Sequence, residues 1–301
     1  MDPVSAMLHA LDLTDTGART SEDIFTGPSQ WMPHGRVFGG QVLAQSIVAA
    51  SRTLPDDRLI HSLHGYFLRP GDVRLGVTLG VDRIHDGRSF STRRVQTYQD
   101  GVPIMSLIAS FQVAQDGVDH QVDVSAEVPD PESLPTVSDH LAGIEHPAAH
   151  FWTQARAFDI RYIDAPVYLP LADTGERTPH QAVWLKAKGT LPDDQVLHRA
   201  AIAYASDYTI LEPALRRHGL AWGTPGIKMA SLDHAMWWHR PARADEWLLY
   251  VEDSPSAQGG RGLAHARIYR QDGVLVASVS QEGMLRVPHE PQSATGERMP
   301  A

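Results

Sequence analysis

Arg88-Ser89-Phe90-Ser91-Thr92-Arg93-Arg94-Val95 leads into Gln99-Asp100-Gly101, and Arg261-Gly262-Leu263-Ala264-His265-Ala266-Arg267-Ile268 leads in the same way into Gln271-Asp272-Gly273. Each copy continues as an apolar strand, containing Ser106-Leu107 in one and Ser278-Val279 in the other. Upstream, Tyr66-Phe67-Leu68-Arg69-Pro70 has a counterpart in Trp237-Trp238-His239-Arg240-Pro241 at nearly the same displacement. Several parts recurring in one order mark an internal repeat. Asp-Gly reads as a hairpin turn, because glycine tolerates the positive φ that such turns require.

Working outward, each half reads as one helix followed by several strands. The first helix runs from Gly39 to Ala50. The second opens at Pro192-Asp193-Asp194, where proline suits a first turn and the acids face the positive helix end; apolar residues carry it past Leu215, and Gly219 ends it. From about Gln115 the chain turns rich in Asp, Glu, Pro and Ser without apolar periodicity, which reads as a surface linker. The expected organisation is therefore an N-terminal repeat at 1–114, a linker at 115–150, a C-terminal repeat at 151–288 and a mobile tail at 289–301.

Composition removes several functions. A net charge of −10 argues against a surface that neutralises nucleic-acid phosphates. No stretch approaches the ~20 apolar residues of a membrane helix, and the start Met-Asp-Pro-Val-Ser-Ala lacks the basic residues of a signal peptide, so a cytoplasmic location is expected. With no cysteine, a thiolate nucleophile, a cysteine-ligated zinc and a disulfide framework are all excluded. The histidines match no standard zinc motif: His146 and His150 flank a proline with no glutamate between, and the pairs His61/His64 and His234/His239 fit none either. No metal site is expected. Gly-x-Ser-x-Gly is absent, and neither Gly39-Gly40 nor Gly259-Gly260 has phosphate-loop spacing. A close helix-to-sheet approach accounts for the first pair and a loop for the second.

Two polar residues interrupt apolar faces. At about 100° per residue along the second helix, Val196, Ala200, Ala203, Ile210 and Ala214 share a stripe that contains Asp207. An aspartate so placed needs a partner or a chemical role, and backbone amides would serve the first need. In the last strand Leu275, Ala277, Val279, Gln281 and Leu285 share one face, with Ser278, Ser280, Glu282 and Arg286 on the other. Gln281 brings an acceptor and two N–H donors, enough to orient water, though a structural amide would satisfy the same pattern. The stretch around Ser231 has two apolar faces and marks no inside.

Val37-Phe38-Gly39-Gly40-Gln41-Val42-Leu43-Ala44-Gln45, Phe67-Leu68-Arg69-Pro70-Gly71-Asp72 and Asp86-Gly87-Arg88-Ser89-Phe90 resemble the first half of acyl-CoA thioesterase II proteins. Ser206-Asp207, Ala230-Ser231-Leu232-Asp233-His234-Ala235-Met236-Trp237, Ser254-Pro255-Ser256-Ala257, Gly260-Arg261-Gly262 and Gln281-Glu282-Gly283 resemble the second half in the same order. The resemblance implies an α+β double hotdog, two repeats each with a long central helix wrapped by an antiparallel β-sheet. It implies hydrolysis of fatty acyl-CoA to free acid and CoA by a water held by Asp207, Ser231 and Gln281, with no cofactor or metal, in a homo-oligomer, a dimer or tetramer. Ser231 rests on the resemblance alone. Whether Asp207 acts as a base or attacks directly is open at this stage. Gln281 corresponds to Ala109 in the first repeat, so the set is expected only in the second. Two alternatives stand beside this reading: a hotdog hydratase, whose Asp/His pair Asp207 and His218 match poorly, and a non-catalytic acyl-CoA or lipid-binding protein.

Overall fold

The computed structural model describes residues 1–124, 128–144, 148–168 and 177–287, so the expected tail at 289–301 and His146 lie outside the described residues. Along the first half come α1 (Pro3–Leu11), β1 (Thr14–Arg19), β2 (Asp23–Gly27), α2 (Gly39–Ser51), β3 (Arg58–Phe67), β4 (Val77–Asp86), β5 (Phe90–Gln99) and β6 (Val102–Val113). A short helix α3 (Val137–His140) precedes β7 (Phe158–Tyr162), β8 (His180–Ala187), α4 (Gln195–Ser206), α5 (Glu212–Arg217), β9 (Lys228–Ser231), β10 (Asp233–Trp238), β11 (Leu248–Gln258), β12 (Arg261–Arg270) and β13 (Leu275–Arg286).

All strands join one antiparallel sheet in the order β1-β2-β4-β5-β6-β3-β10-β13-β12-β11-β8-β7, with β9 paired to β13. The seam between the halves is β3 against β10, where Asp233 lies opposite Tyr66 and Met236 opposite Leu63. The repeated Asp-Gly turns close the β5–β6 and β12–β13 hairpins. Asp100 (φ 47°) and Gly101 (φ 75°) form a tight pair, whereas in the second copy Gly273 (φ 83°) alone takes the left-handed conformation, in a longer loop.

The two helices that face the sheet pack on each other. α2 is buried from Gly40 to Ala50, with its two glutamines bonded to each other and to the carbonyls of Pro28 and Ala10. α4 is shorter than its apolar pattern predicts. It starts at the Asp194 cap, but it stops at Ser206 and resumes only as α5. Pro213 has no N–H for the Thr209 carbonyl and cannot continue a helix, and the Tyr250 hydroxyl takes the Ser206 carbonyl at 3.0 Å. Ile210 and Ala214 are buried as expected, but Ile210 lies in the turn after α4 and Ala214 on α5, off the helix of Ala200 and Ala203. From the described part of segment 115–150, Val124, Val128 and Leu134 cover Trp184, Trp247 and Leu249 on the far side of the sheet, and Trp184 Nε1 donates to the Pro129 carbonyl at 3.0 Å. Among the described residues no helix is long and apolar enough to cross a membrane.

Candidate active site

The last turn of α4 decides where Asp207 points. Asp207 caps α4 with its backbone still right-handed helical (φ −86°, ψ −1°), and its carboxylate meets the first turn of α2 from the other half: Oδ2 accepts the Gly40 N–H at 2.9 Å. Gly40 makes this meeting possible, because a Cβ there would lie 2.2 Å from the Tyr204 carbonyl oxygen of α4. Gly40 thus serves a helix-to-helix approach, and Gly39 the expected approach to the sheet as well: a Cβ at Gly39 would meet Asp207 Oδ2 at 2.6 Å and the ring of Phe67, on β3, at 3.0 Å. A carboxylate at a helix N-terminus is favoured by the unpaired N–H groups and the dipole there.

The sheet supplies the other two sequence-flagged residues. Ser231 ends β9 opposite Gly283 of β13, which sets it diagonal to Gln281 on one face. Gln281 is 1% exposed, on the inward face its alternation predicts. The three side chains come together: Ser231 Oγ donates to Asp207 Oδ1 at 3.1 Å, and Gln281 Nε2 donates to Asp207 Oδ1 at 3.0 Å and to Ser231 Oγ at 2.9 Å. Two participants lay outside the sequence reading. One is the Gly40 N–H. The other is His234 on β10, whose Nδ1 bonds Gln281 Oε1; a lone histidine between apolar faces carries no local signal of such a contact.

Counting hydrogen bonds shows what remains free. A carboxylate has roughly four acceptor sites, and Asp207 fills three with Gly40, Ser231 and Gln281. The Ser231 hydroxyl gives its hydrogen to Asp207 and accepts from Gln281, which leaves one lone pair. Both amide hydrogens of Gln281 are committed. Burial raises the Asp207 pKa above the ordinary 3.8, against the lowering by His234 and the three hydrogen bonds, while burial lowers that of His234.

A cavity of about 660 Å³ opens on these groups. Its walls come from both halves and are mainly apolar, with Phe38, Val42 and Phe67 facing Tyr208, Leu211 and Met284, and Phe151 and Trp152 buried among them. His34, Arg36 and Arg69 line it where the chain is exposed. Among the described residues no three His, Asp or Glu side chains gather as a metal site. His218 caps α5 and is not among the donors to Asp207, which leaves the hydratase pairing without support.

An antiparallel sheet curled on a buried helix defines a hotdog protein of the α+β class. A hotdog-fold protein from Alicyclobacillus acidocaldarius shares this fold with a TM-score of 0.74 over 94% of this chain and 99% of that one, at 19% identity. Residues 27–112 match the acyl-CoA thioesterase N-terminal domain model, and residues 155–284 match the acyl-CoA thioesterase model. The human acyl-coenzyme A thioesterase 8 is 40% identical over 88% of this chain and 85% of its own length. An acyl-CoA thioesterase II from Mycobacterium marinum is 40% identical with a TM-score of 0.75, covering 95% of this chain and 100% of that one. The chain belongs to the acyl-CoA thioesterase II family.

Proposed function

We propose that the chain hydrolyses fatty acyl-CoA to free acid and CoA through one water bound between Asp207 and Ser231. The observation that carries this reading is that Asp207 and Ser231 both line an apolar cavity and each keeps an unused acceptor site by the count above: a water needs two acceptors for its hydrogens and keeps a lone pair for attack. As the water oxygen bonds to the thioester carbon, Asp207 takes one water proton. The C–S bond then breaks, and the proton passes to the departing CoA sulfur. Gln281 holds Asp207 and Ser231 at the spacing the water requires, so its part is orientation. The Gly39 N–H, in the first turn of α2 and without a partner among the described residues, is the oxyanion donor we favour. Arg36 and Arg69 suit the phosphates of CoA.

In this reading the molecule is a double hotdog, with repeats at 1–114 and 151–288 joined by 115–150, one repeat contributing the helix start and the other the catalytic set. We also expect a homo-oligomer built on the outer sheet face, where Tyr66, Ile108 and Trp237 are 56%, 54% and 44% exposed. Release of CoA thiol from acyl-CoA of varied chain length tests the activity, and no release at any length would leave a binding protein. A single turnover in heavy-oxygen water tests the route. The label should enter the fatty acid; label in the Asp207 carboxylate would mean direct attack through an anhydride.

A further inference from the structure

His234 is fully buried and takes no part in the reaction as derived above. Its ring spans two partners, with Nδ1 2.5 Å from Gln281 Oε1 and Nε2 3.1 Å from Ser206 Oγ. The direction of the first bond follows from what lies beyond Gln281. Asp207 in its ionised form can only accept, so the amide of Gln281 must turn its NH2 toward Asp207 and Ser231 and its carbonyl toward His234. Nδ1 therefore carries a hydrogen.

An amide has two orientations of nearly equal shape. Rotated by half a turn, Gln281 would set its carbonyl against the carboxylate and its NH2 against the Nδ1 hydrogen, losing its bonds to Asp207, Ser231 and His234. A ring with a bare Nδ1 would instead accept from that NH2 and favour the rotated form. The tautomer of His234 thus selects the orientation of Gln281. Ser206 permits this tautomer: its single hydroxyl hydrogen can go either to the Ala203 carbonyl at 2.9 Å or to a bare Nε2 at 3.1 Å. Both contacts come from α4 just before Asp207, so one turn of chain sets the carboxylate and the ring that orders its partners.

We propose that His234 is a positioning residue for the hydrolysis, its Nδ1 hydrogen holding the Gln281 amide in the orientation that presents Asp207 and Ser231 to the attacking water. The proposal rests on the water-held reading of the site. His234→Asn and His234→Gln test it, since the asparagine amide reaches the place of Nδ1 and the glutamine amide reaches toward Nε2. With an acyl-CoA substrate, H234Q should lose about 10–100-fold in kcat with KM within about twofold, the size expected for one misdirected buried amide. H234N should stay within about threefold of wild type. Equal losses in both folded variants, or full kcat in H234Q, would overturn it. Nitrogen-15 spectra of the wild-type imidazole rings read the tautomer without any variant: a neutral Nδ1–H form at His234 supports the assignment, and an Nε2–H form refutes it. If the wild type released no CoA from any acyl-CoA, the hydrolase reading would fail while the tautomer measurement still judged the contact.

Discussion

Replacing Asp207 by asparagine keeps the side chain's size and removes its charge, which separates the carboxylate's chemistry from its packing. In the wild type Oδ1 accepts from Ser231 and Gln281, and Oδ2 accepts from the Gly40 N–H. An amide has one oxygen. Turned toward Ser231 and Gln281, it sets its NH2 against the Gly40 N–H; turned the other way, it opposes the Gln281 amide. One donor therefore loses its acceptor, at about 1–3 kcal/mol, partly offset because no charge is now held beside an apolar cavity. The chemical loss is larger. A positioned base contributes about 10²–10⁴-fold, which is about 2.7–5.4 kcal/mol of barrier. We expect kcat to fall by that factor, KM to stay within about threefold, and Tm to move by only a few degrees. Thiol release from acyl-CoA measures it cleanly, because the chain contributes no cysteine to the background. A variant that melts like the wild type and keeps kcat within about threefold would refute the role of Asp207.

Gln281→Ala should lower kcat by about 10–100-fold, less than Asp207→Asn, because it removes the order of the site and leaves the base; wild-type kinetics would remove Gln281 from the set. The two glycines should separate stability from activity. Gly40→Ala, with its Cβ 2.2 Å from a backbone oxygen, should destabilise by about 1–3 kcal/mol or more in denaturant melts. Gly39→Ala should chiefly reduce kcat by displacing Asp207, and identical behaviour of the two would contradict this geometry. Because Asp207 must be ionised to act and burial raises its pKa above 3.8, activity should be full above the raised value and disappear as pH falls through it. The acid limb of kcat/KM, which titrates the free enzyme, should lie above the ordinary aspartate range; a limb at or below that range would show that burial does not govern the group.

Several parts of the site were legible because they depend on neighbours in sequence. Gln281 stood out since a strand alternates with a period of two, and one polar residue among Leu275, Ala277 and Val279 is visible without knowing what lies opposite. Asp207 stood out because it shares the stripe of Ala200 and Ala203 on α4; the continuation of that stripe to Ile210 and Ala214 assumed an unbroken helix, which Pro213 interrupts. Ser231 had no such signal, because both faces of its strand are covered and neither alternation marks an inside.

Sequence alone determined the α2 segment, the paired Asp-Gly hairpins and the family, since periodicity, turn chemistry and ordered motifs are carried by residues close together in the chain. The tertiary structure decided the rest. Gly40 reaches Asp207 from the other half of the molecule, through a helix crossing tight enough that only glycine fits at its closest point. The helix start that binds the carboxylate and the ring beside Gln281 arise from that crossing and from the β10–β13 pairing. Such contacts depend on which surfaces meet, and no local pattern records that.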